Sequence, residues 1–562
     1  MREHLETPGA LPAPTAGSDA VDGQPMQMPL RVIDLLRHAA RNHPQVEIVS
    51  RRVEGDVHRQ TYAEAYRRVC RLARALHTLG VARGDKVATL AWNTYRHFEL
   101  YYATMAMGAV CHTLNPRLTA DQLAWICNHA GDRVLCFDAS FAPLVQAAAP
   151  RLGTVTTFVL LSRSAAMATP QIEVLDYEAL LAREPDTEVD WPALDENAPC
   201  GLCYTSGTTG NPKGVGYTPR STLLHAWASA LPDALALSAQ DAVLPVVPMF
   251  HVNAWGLPFS LPMVGAKLVF PGPALDGKSL YELCEAEQVT MAAGVPTIWL
   301  GLLEHVRAAG ARFSTLRRTV IGGSAAGEAM VRAFELEHGV RVLHGWGMTE
   351  TSPVAAVNQF TPRHQRLSAD ERVRLQTRQG RELFGVEMRL EGEDGRELPR
   401  DGVASGRLLV RGPWVVQTYQ GGVPGARADG WFDTGDIATI DADGFMLIVD
   451  RAKDVIKSGG EWISSIELEN AAMAHPAVLE AAVIGVPHPK WDERPLLVCV
   501  RRPGQDVDRA QLLAHLQPRV ARWWLPDAVE FVDALPHGAT GKVLKTALRE
   551  RFAGYRLPEA AR

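Results

Sequence analysis

The stretch Tyr204-Thr205-Ser206-Gly207-Thr208-Thr209-Gly210-Asn211-Pro212-Lys213-Gly214 decides how this chain is read. Hydroxyl side chains and glycines lead up to a single lysine. Glycine lets a backbone approach a ligand closely, while N–H and O–H groups donate to phosphate oxygens. Lysine adds a compact, mobile positive charge. Those residue types predict a phosphate-holding loop. It is not a Walker A motif, because no Gly-Lys-Ser/Thr closes it. Composition alone would equally suit an ordinary Gly/Ser/Thr loop; the order of residues is the specific part.

Lysine is otherwise scarce. Of 57 basic residues nine are lysine, and none falls between Lys278 and Lys453. Arginine serves where any positive charge will do, so a retained lysine is a candidate for a role that needs a point charge. Lys213, Lys453, Lys457, Lys542 and Lys545 all lie in distinctive segments.

Around the loop, helical and strand-like runs alternate. Ala63–Leu79 places apolar residues at three- and four-residue spacing with arginines opposite, which predicts an amphipathic helix. Tyr95–Met107 and Ser279–Glu287 read the same way. Lys86–Ala91, Val134–Phe137, Phe158–Leu161, Leu268–Phe270 and Thr319–Gly322 read as strands. Such alternation implies parallel sheets with helices on their faces. From Gly380 the runs Val386–Leu390, Gly406–Arg411 and Phe445–Val449 predict a small β-rich subdomain. Past Asp450 the pattern becomes α+β, with helices at Ile466–Ala474 and Arg509–Ala521 and strands within Val478–Val486 and Leu496–Arg501. A domain boundary is placed at 448–453.

Composition bounds the rest. At about 150 residues per domain, 562 residues imply three to four domains or subdomains. A content of 47% hydrophobic and 21% charged residues excludes a wholly disordered or collagen-like chain. The net charge, 57 − 63 = −6, argues against a nucleic-acid coat. The uncharged stretch Ala242–Ala266 carries Pro245, Pro248, Pro258 and Pro262, so it reads as strands and turns around a site rather than a membrane span. Residues 1–28 lack an apolar signal region and read as a flexible Pro- and Gly-rich leader, which points to a cytoplasmic protein. Cys200 and Cys203 form a lone C-x-x-C with no second pair, and read as structural thiols.

The order Thr-Ser-Gly-Thr-Thr-Gly-x-Pro-Lys-Gly resembles the phosphate loop of the adenylate-forming superfamily, which includes acyl-CoA synthetases, firefly luciferase and peptide synthetase adenylation domains. Four further segments resemble that family in its order: Gly345-Trp346-Gly347-Met348-Thr349-Glu350, Trp431-Phe432-Asp433-Thr434-Gly435-Asp436, Asp450-Arg451-Ala452-Lys453-Asp454 and Gly538-Ala539-Thr540-Gly541-Lys542. The likeness runs from about residue 30 to the end. Pro248-Met249-Phe250-His251-Val252-Asn253-Ala254-Trp255 and Lys457-Ser458-Gly459-Gly460-Glu461-Trp462 are similar to the fatty acyl-CoA synthetase branch. Trp491-Asp492-Glu493-Arg494-Pro495 and Trp346 are most similar to medium-chain fatty acyl-CoA and methylmercaptopropionate-CoA ligases.

The resemblance implies an α/β N-terminal domain over 29–449, with two parallel-sheet subdomains and a small β-barrel-like one. It implies a hinge at 450–453 and a mobile α+β domain over 454–562. It also implies a two-step reaction. A carboxylate attacks the α-phosphate of ATP and releases pyrophosphate; the thiol of coenzyme A then takes the acyl group and releases AMP. The loop Thr205, Ser206, Gly207, Thr208, Thr209, Gly210 and Lys213 would hold the phosphates, and Thr205 and Glu350 would bind Mg²⁺, a hard cation suited to oxygen.

Gly323, Ser324 and Ala325 with Gly345, Trp346, Gly347, Met348 and Thr349 would line the nucleotide. Asp436 would accept the ribose hydroxyls, with Arg451 beside it. Val252, Lys453, Lys457, Ser458, Gly459, Gly460 and Trp462 are further contact positions. His251 would touch the carboxylate, Trp255 would gate the acyl tunnel, and Lys542 would be the catalytic lysine. A medium-chain fatty acid is the first expectation for the substrate, with methylmercaptopropionate, an aryl acid or a fatty acyl-AMP ligase activity as alternatives. No nucleic acid or membrane span is expected, and a homodimer is implied.

Overall fold

The computed structural model describes residues 25–162, 172–205, 212–459, 461–537 and 543–557. Most of the leader therefore lies outside the described residues. Two nine-stranded sheets, a four-stranded sheet and a five-stranded sheet organise the described residues. In the first large sheet, strands Lys86–Leu90, Val110–Thr113, Asp132–Phe137, Thr157–Leu160, Val174–Asp176 and Gly201–Tyr204 run parallel. Gly214–Tyr217 then turns back antiparallel beside Gly201–Tyr204, so the phosphate segment joins two adjacent strands. The second large sheet has a parallel centre of Ala242–Pro245, Lys267–Phe270, Met291–Gly294, Arg318–Ile321 and Arg341–Gly347. The small β unit is four antiparallel strands from Glu387 to Arg451. The C-terminal unit is mixed, with Ala528–Phe531 parallel to Asp492–Arg501 and the rest antiparallel.

Local chemistry explains these elements. The helix Tyr62–Thr78 starts on a capping box: Thr61 Oγ1 accepts from Glu64 N, and Glu64 Oε2 accepts from Thr61 N at 2.7 Å. It buries Ala65, Val69, Leu72, Ala73 and Leu76, each larger apolar side chain contributing about 1.5–3 kcal/mol. A charge at Val69 would break that face. The Arg509 helix ends at Leu516, earlier than expected, because Pro518 has no N–H to continue the helical ladder.

The stretch 242–266 corrects the expectation of strands and turns alone. Only Ala242–Pro245 is a strand, while Leu257–Val264 is a helix. Pro258 sits in its first turn, where its missing N–H costs nothing. Pro262 lies inside and cannot donate to the carbonyl of Pro258. Tyr102 Oη donates to that carbonyl instead, at 2.8 Å. The deficit that should have broken the helix is met from outside.

All eight cysteines are buried as thiols, Cys200 and Cys203 included. Burial pushes the Cys200 thiol up to about 12, and no helix of the described residues is long and apolar enough to cross a membrane.

Three buried imidazoles set a pH dependence. Burial pushes His97 and His344 down to about 4 and His225 down to about 3. Each is neutral in the fold, whereas the unfolded chain protonates it below about 6.5. Buried Asp138 opposes them, since burial pushes it up to about 7 and the fold holds its proton longer than the unfolded chain does. Three minus one leaves the unfolded state binding about two more protons between pH 6 and 5. The contribution of these four groups to stability should therefore fall on acidification through that window. Urea midpoints at pH 7.5, 6 and 5 check the sign; a midpoint that rises on acidification would refute it.

Candidate active site

The neck of the phosphate loop is defined at both ends. Thr205 N donates to Lys213 O at 2.9 Å, and Lys213 N lies 3.4 Å from Thr205 Oγ1. Ser206, Gly207, Thr208, Thr209 and Gly210 lie outside the described residues. Gln420 N donates to Gly214 O at 2.7 Å, and Tyr419 pairs with Val215, so the short strand Thr418–Tyr419 extends the first large sheet beside the neck.

That strand brings the phosphate lysine and the expected metal carboxylate together. Lys213 Nζ stands 4.9 Å over the Tyr419 ring, and Tyr419 Oη donates to Glu350 Oε1 at 3.1 Å. Glu350 is 8% exposed. Burial pushes its carboxyl above the usual range, while the Tyr419 hydrogen bond and the charges of Arg451 and Lys213 pull it back. Thr349 is fastened beside it by Tyr217 Oη, which donates to Thr349 O at 2.9 Å.

Tyr419 is a residue the sequence reading passed over. It lies in Gln417-Thr418-Tyr419-Gln420-Gly421-Gly422, and the aromatic residue before a glycine pair was the available signal. Its partners, 69 residues away at Glu350 and across a sheet at Lys213, were not readable.

A second group centres on Asp436, which is 2% exposed. Arg451 faces it across the antiparallel pair, with Arg451 Nε 2.8 Å from Asp436 Oδ1. Trp346 Nε1 donates to Asp436 Oδ2 at 3.0 Å. The indole thus supplies a donor to the carboxylate as well as a ring face. A carboxylate offers about four lone-pair sites and so can accept from several donors at once. Gly345, Gly347 and Met348 continue the Trp346 strand, and Gly323, Ser324 and Ala325 lie in the neighbouring loop after Arg318–Ile321.

The third group is the backbone of 245–256. His251 is half-buried, and its N–H donates to Pro248 O at 3.1 Å. Val252, Asn253, Ala254 and Trp255 follow with φ of 47°, 53°, 48° and 57°. Four successive non-glycine residues form a left-handed turn, at roughly 1–2 kcal/mol each for the contact between Cβ and carbonyl. Gly256 ends it at φ 78°, with the His225 ring packed where a Cβ would stand. The Trp255 indole lies over Gly322, since a Cβ there would be 3.0 Å from Trp255 Cη2. Trp255 therefore abuts the segment that leads into Gly323.

The positions after Arg451 group separately. Asp450 Oδ2 accepts from Ser465 N and Ser465 Oγ, each at 2.6 Å, and Lys453 O accepts from Arg549. Lys457 N donates to Glu493 Oε2, Ser458 Oγ accepts from Arg494, and Gly459 N donates to Trp491 O at 2.8 Å. Trp462 pairs with Lys457 in the same hairpin. The Lys457, Ser458, Gly459 and Trp462 contacts lie within the C-terminal unit rather than with the Glu350 or Asp436 groups. Gly460 and Lys542 lie outside the described residues.

Among the described residues no three His, Cys, Asp or Glu side chains form a metal cluster. A buried carboxylate and one hydroxyl residue suit a hard cation that takes its other ligands from phosphates and water. Glu350 and Thr205 therefore fit Mg²⁺ brought in with a nucleotide.

The chain belongs to the AMP-binding enzyme family: the pattern of that family matches residues 36–420, and that of the AMP-binding enzyme C-terminal domain matches 467–542. Within it, the chain is an acyl-CoA ligase. It is 51% identical over 531 residues to the 3-methylmercaptopropionyl-CoA ligase of Ruegeria lacuscaerulensis, covering 94% of this chain and 98% of that one. It is 49% identical over 532 residues to the medium-chain-fatty-acid–CoA ligase of Ectopseudomonas oleovorans, covering 94% and 97%. The o-succinylbenzoate coenzyme A synthetase of Bacillus subtilis, solved with ATP and magnesium ion, superposes with a TM-score of 0.76 at 25% identity over 92% of this chain and 99% of that one.

Proposed function

We propose that this acyl-CoA ligase activates a medium-chain fatty acid with ATP and Mg²⁺ and transfers it to coenzyme A in the cytoplasm, working as a homodimer. The observation that carries the nucleotide half is the linkage Lys213–Tyr419–Glu350, which sets a cation over the face of one ring and a buried carboxylate at its hydroxyl. Mg²⁺, when bound, would neutralise phosphate charge. The residues do the rest: Lys213 and the loop 205–210 hold the phosphates, Asp436 and Arg451 hold the ribose, and Trp346 takes the adenine face. Such reactions need positioning and charge neutralisation more than covalent help.

The acid is placed beside His251 and Trp255. Residues 29–449 form the adenylation domain, 450–453 the hinge and 454–562 the domain that carries Lys542 to the site. Lys453, Lys457, Ser458, Gly459, Gly460 and Trp462 would face the site only after that domain turns. A thioether acid such as methylmercaptopropionate is the second reading, favoured by the 51% identical relative. CoA-dependent AMP release measured as kcat/KM over straight-chain acids and methylmercaptopropionate decides between them.

One expectation follows for Trp255. One methylene in an apolar pocket is worth about 1–3 kcal/mol, so Trp255→Ala should shift the ratio between neighbouring chain lengths by about tenfold. The KM for ATP should stay near its original value. An unaltered chain-length profile removes Trp255 from the pocket.

A further inference from the structure

The backbone that presents His251 and Trp255 is held by side chains of the opposite subdomain. Pro245 and Pro248 supply no N–H, and the chain from 246 to 251 leaves its sheet. Buried backbone groups need partners. Asn93, buried just after the strand Lys86–Leu90 of the other large sheet, provides three. Its Nδ2 donates to Pro245 O at 2.9 Å and to Val247 O at 2.8 Å, and its Oδ1 accepts from Met249 N at 2.6 Å. Eight residues on, Tyr101 Oη donates to Met249 O at 2.5 Å. Tyr102 Oη donates to Pro258 O at 2.8 Å, beyond the turn. The left-handed turn 252–255 is thus pinned before and after by one loop-and-helix segment, 93–102. Backbone held in a sparsely populated conformation persists only where its surroundings over-determine it.

We propose that Asn93 and Tyr101 are positioning residues for acid selection: they hold the left-handed turn, and through it set where Trp255 stands. This rests on the placement of the acid beside Trp255. Without the three Asn93 bonds, one N–H and two carbonyls in the buried run 245–249 lose their partners. The turn then has an easier path to ordinary right-handed geometry, which swings the indole off Gly322. The bonds that fasten Asp436 to Trp346 and Arg451, and Glu350 to Tyr419, involve neither Asn93 nor Tyr101.

The test measures kcat/KM for straight-chain acids of four to twelve carbons (about that range) and the KM for ATP in Asn93→Ala, Tyr101→Phe, Trp255→Ala and the double variant Tyr101→Phe/Trp255→Ala. Tyr101→Phe removes one hydroxyl and opens no cavity, so it decides the matter even where Asn93→Ala fails to fold. The clamp variants should flatten the ratio between neighbouring chain lengths by about fivefold or more, with the KM for ATP within about twofold. In the Trp255→Ala background, Tyr101→Phe should add almost nothing, as groups acting through one another are non-additive. An unaltered profile in Trp255→Ala overturns the placement of the acid, and the clamp proposal falls with it. An altered profile there, with unaltered ratios in both clamp variants, overturns the clamp alone. Uniform loss over all acids, or additive loss in the double variant, marks a structural role and also overturns it.

Discussion

Glu350→Gln should slow pyrophosphate release by about 10²–10³, the loss typical when one preorganised charge-stabilising group is removed. The substitution keeps the shape of the side chain, and the amide oxygen can still accept from Tyr419 Oη, now 3.1 Å from Glu350 Oε1. Only the charge is lost. The fold should tolerate this well, because the surroundings already disfavour the ionised form: burial raises the carboxyl. Stability and activity should therefore part company, with the thermal midpoint unchanged or higher while adenylation collapses. Raising Mg²⁺ should recover part of the loss if Glu350 acts through the cation. Tyr419→Phe is the companion variant. It keeps the ring under Lys213 Nζ but removes the donor to Glu350, so its defect should be smaller and confined to the nucleotide step. Normal pyrophosphate release in Glu350→Gln would take Glu350 out of the site.

The sequence carried the two residues in that argument unequally. Glu350 was legible because it follows Gly345-Trp346-Gly347-Met348-Thr349, a run whose order is rare by chance. Tyr419 was not, because the glycine pair after it is only a weak signal and its role lies in two contacts across space. The same division runs through the fold. The helix Tyr62–Thr78 was readable from spacing alone, and its Thr61–Glu64 cap lies in the local sequence. The helix Leu257–Val264 was not, because four prolines between 245 and 262 speak for a broken chain, and the group that repairs it is Tyr102. Local rules failed here where tertiary partners overrode them. Asn93 belongs with Tyr102: nothing beside it in sequence announces three bonds to residues about 150 positions later. The left-handed turn was nearly as silent, since of its residues Asn253 alone suits positive φ, while Val252, Ala254 and Trp255 are poor choices. Places where local preference and observed geometry disagree are where function is expected to lie.

Lys542→Ala should slow formation of the acyl-adenylate by at least about 10²–10³ and leave the thiol step nearly untouched. The two steps separate by supplying pre-made acyl-adenylate with coenzyme A. Another lysine cannot stand in for it. Lys545, three residues on, is committed to the C-terminal domain: its Nζ is 2.7 Å from Glu469 Oε1 and 2.5 Å from Ser465 Oγ, and its side chain is 13% exposed. Ser465 in turn donates to Asp450, so this ion pair anchors the end of the expected hinge. Lys545→Ala is then the control, costing stability of the C-terminal domain and slowing neither half-reaction selectively. The domain must also be able to turn. The ion pair of Arg502 with Glu304, at 2.9 Å and partly exposed on both sides, joins the two units but is worth at most about 1 kcal/mol. Lys542→Arg should not restore the rate, because a planar fork cannot occupy a point-charge site between a carboxylate and a phosphate in the same geometry. In a chain with only nine lysines among 57 basic residues, arginine was the ready substitute and lysine stands at 542. Equal slowing of both half-reactions by Lys542→Ala would reject the alternating-domain mechanism. Slowing of neither would make Lys542 a surface residue and remove the catalytic assignment.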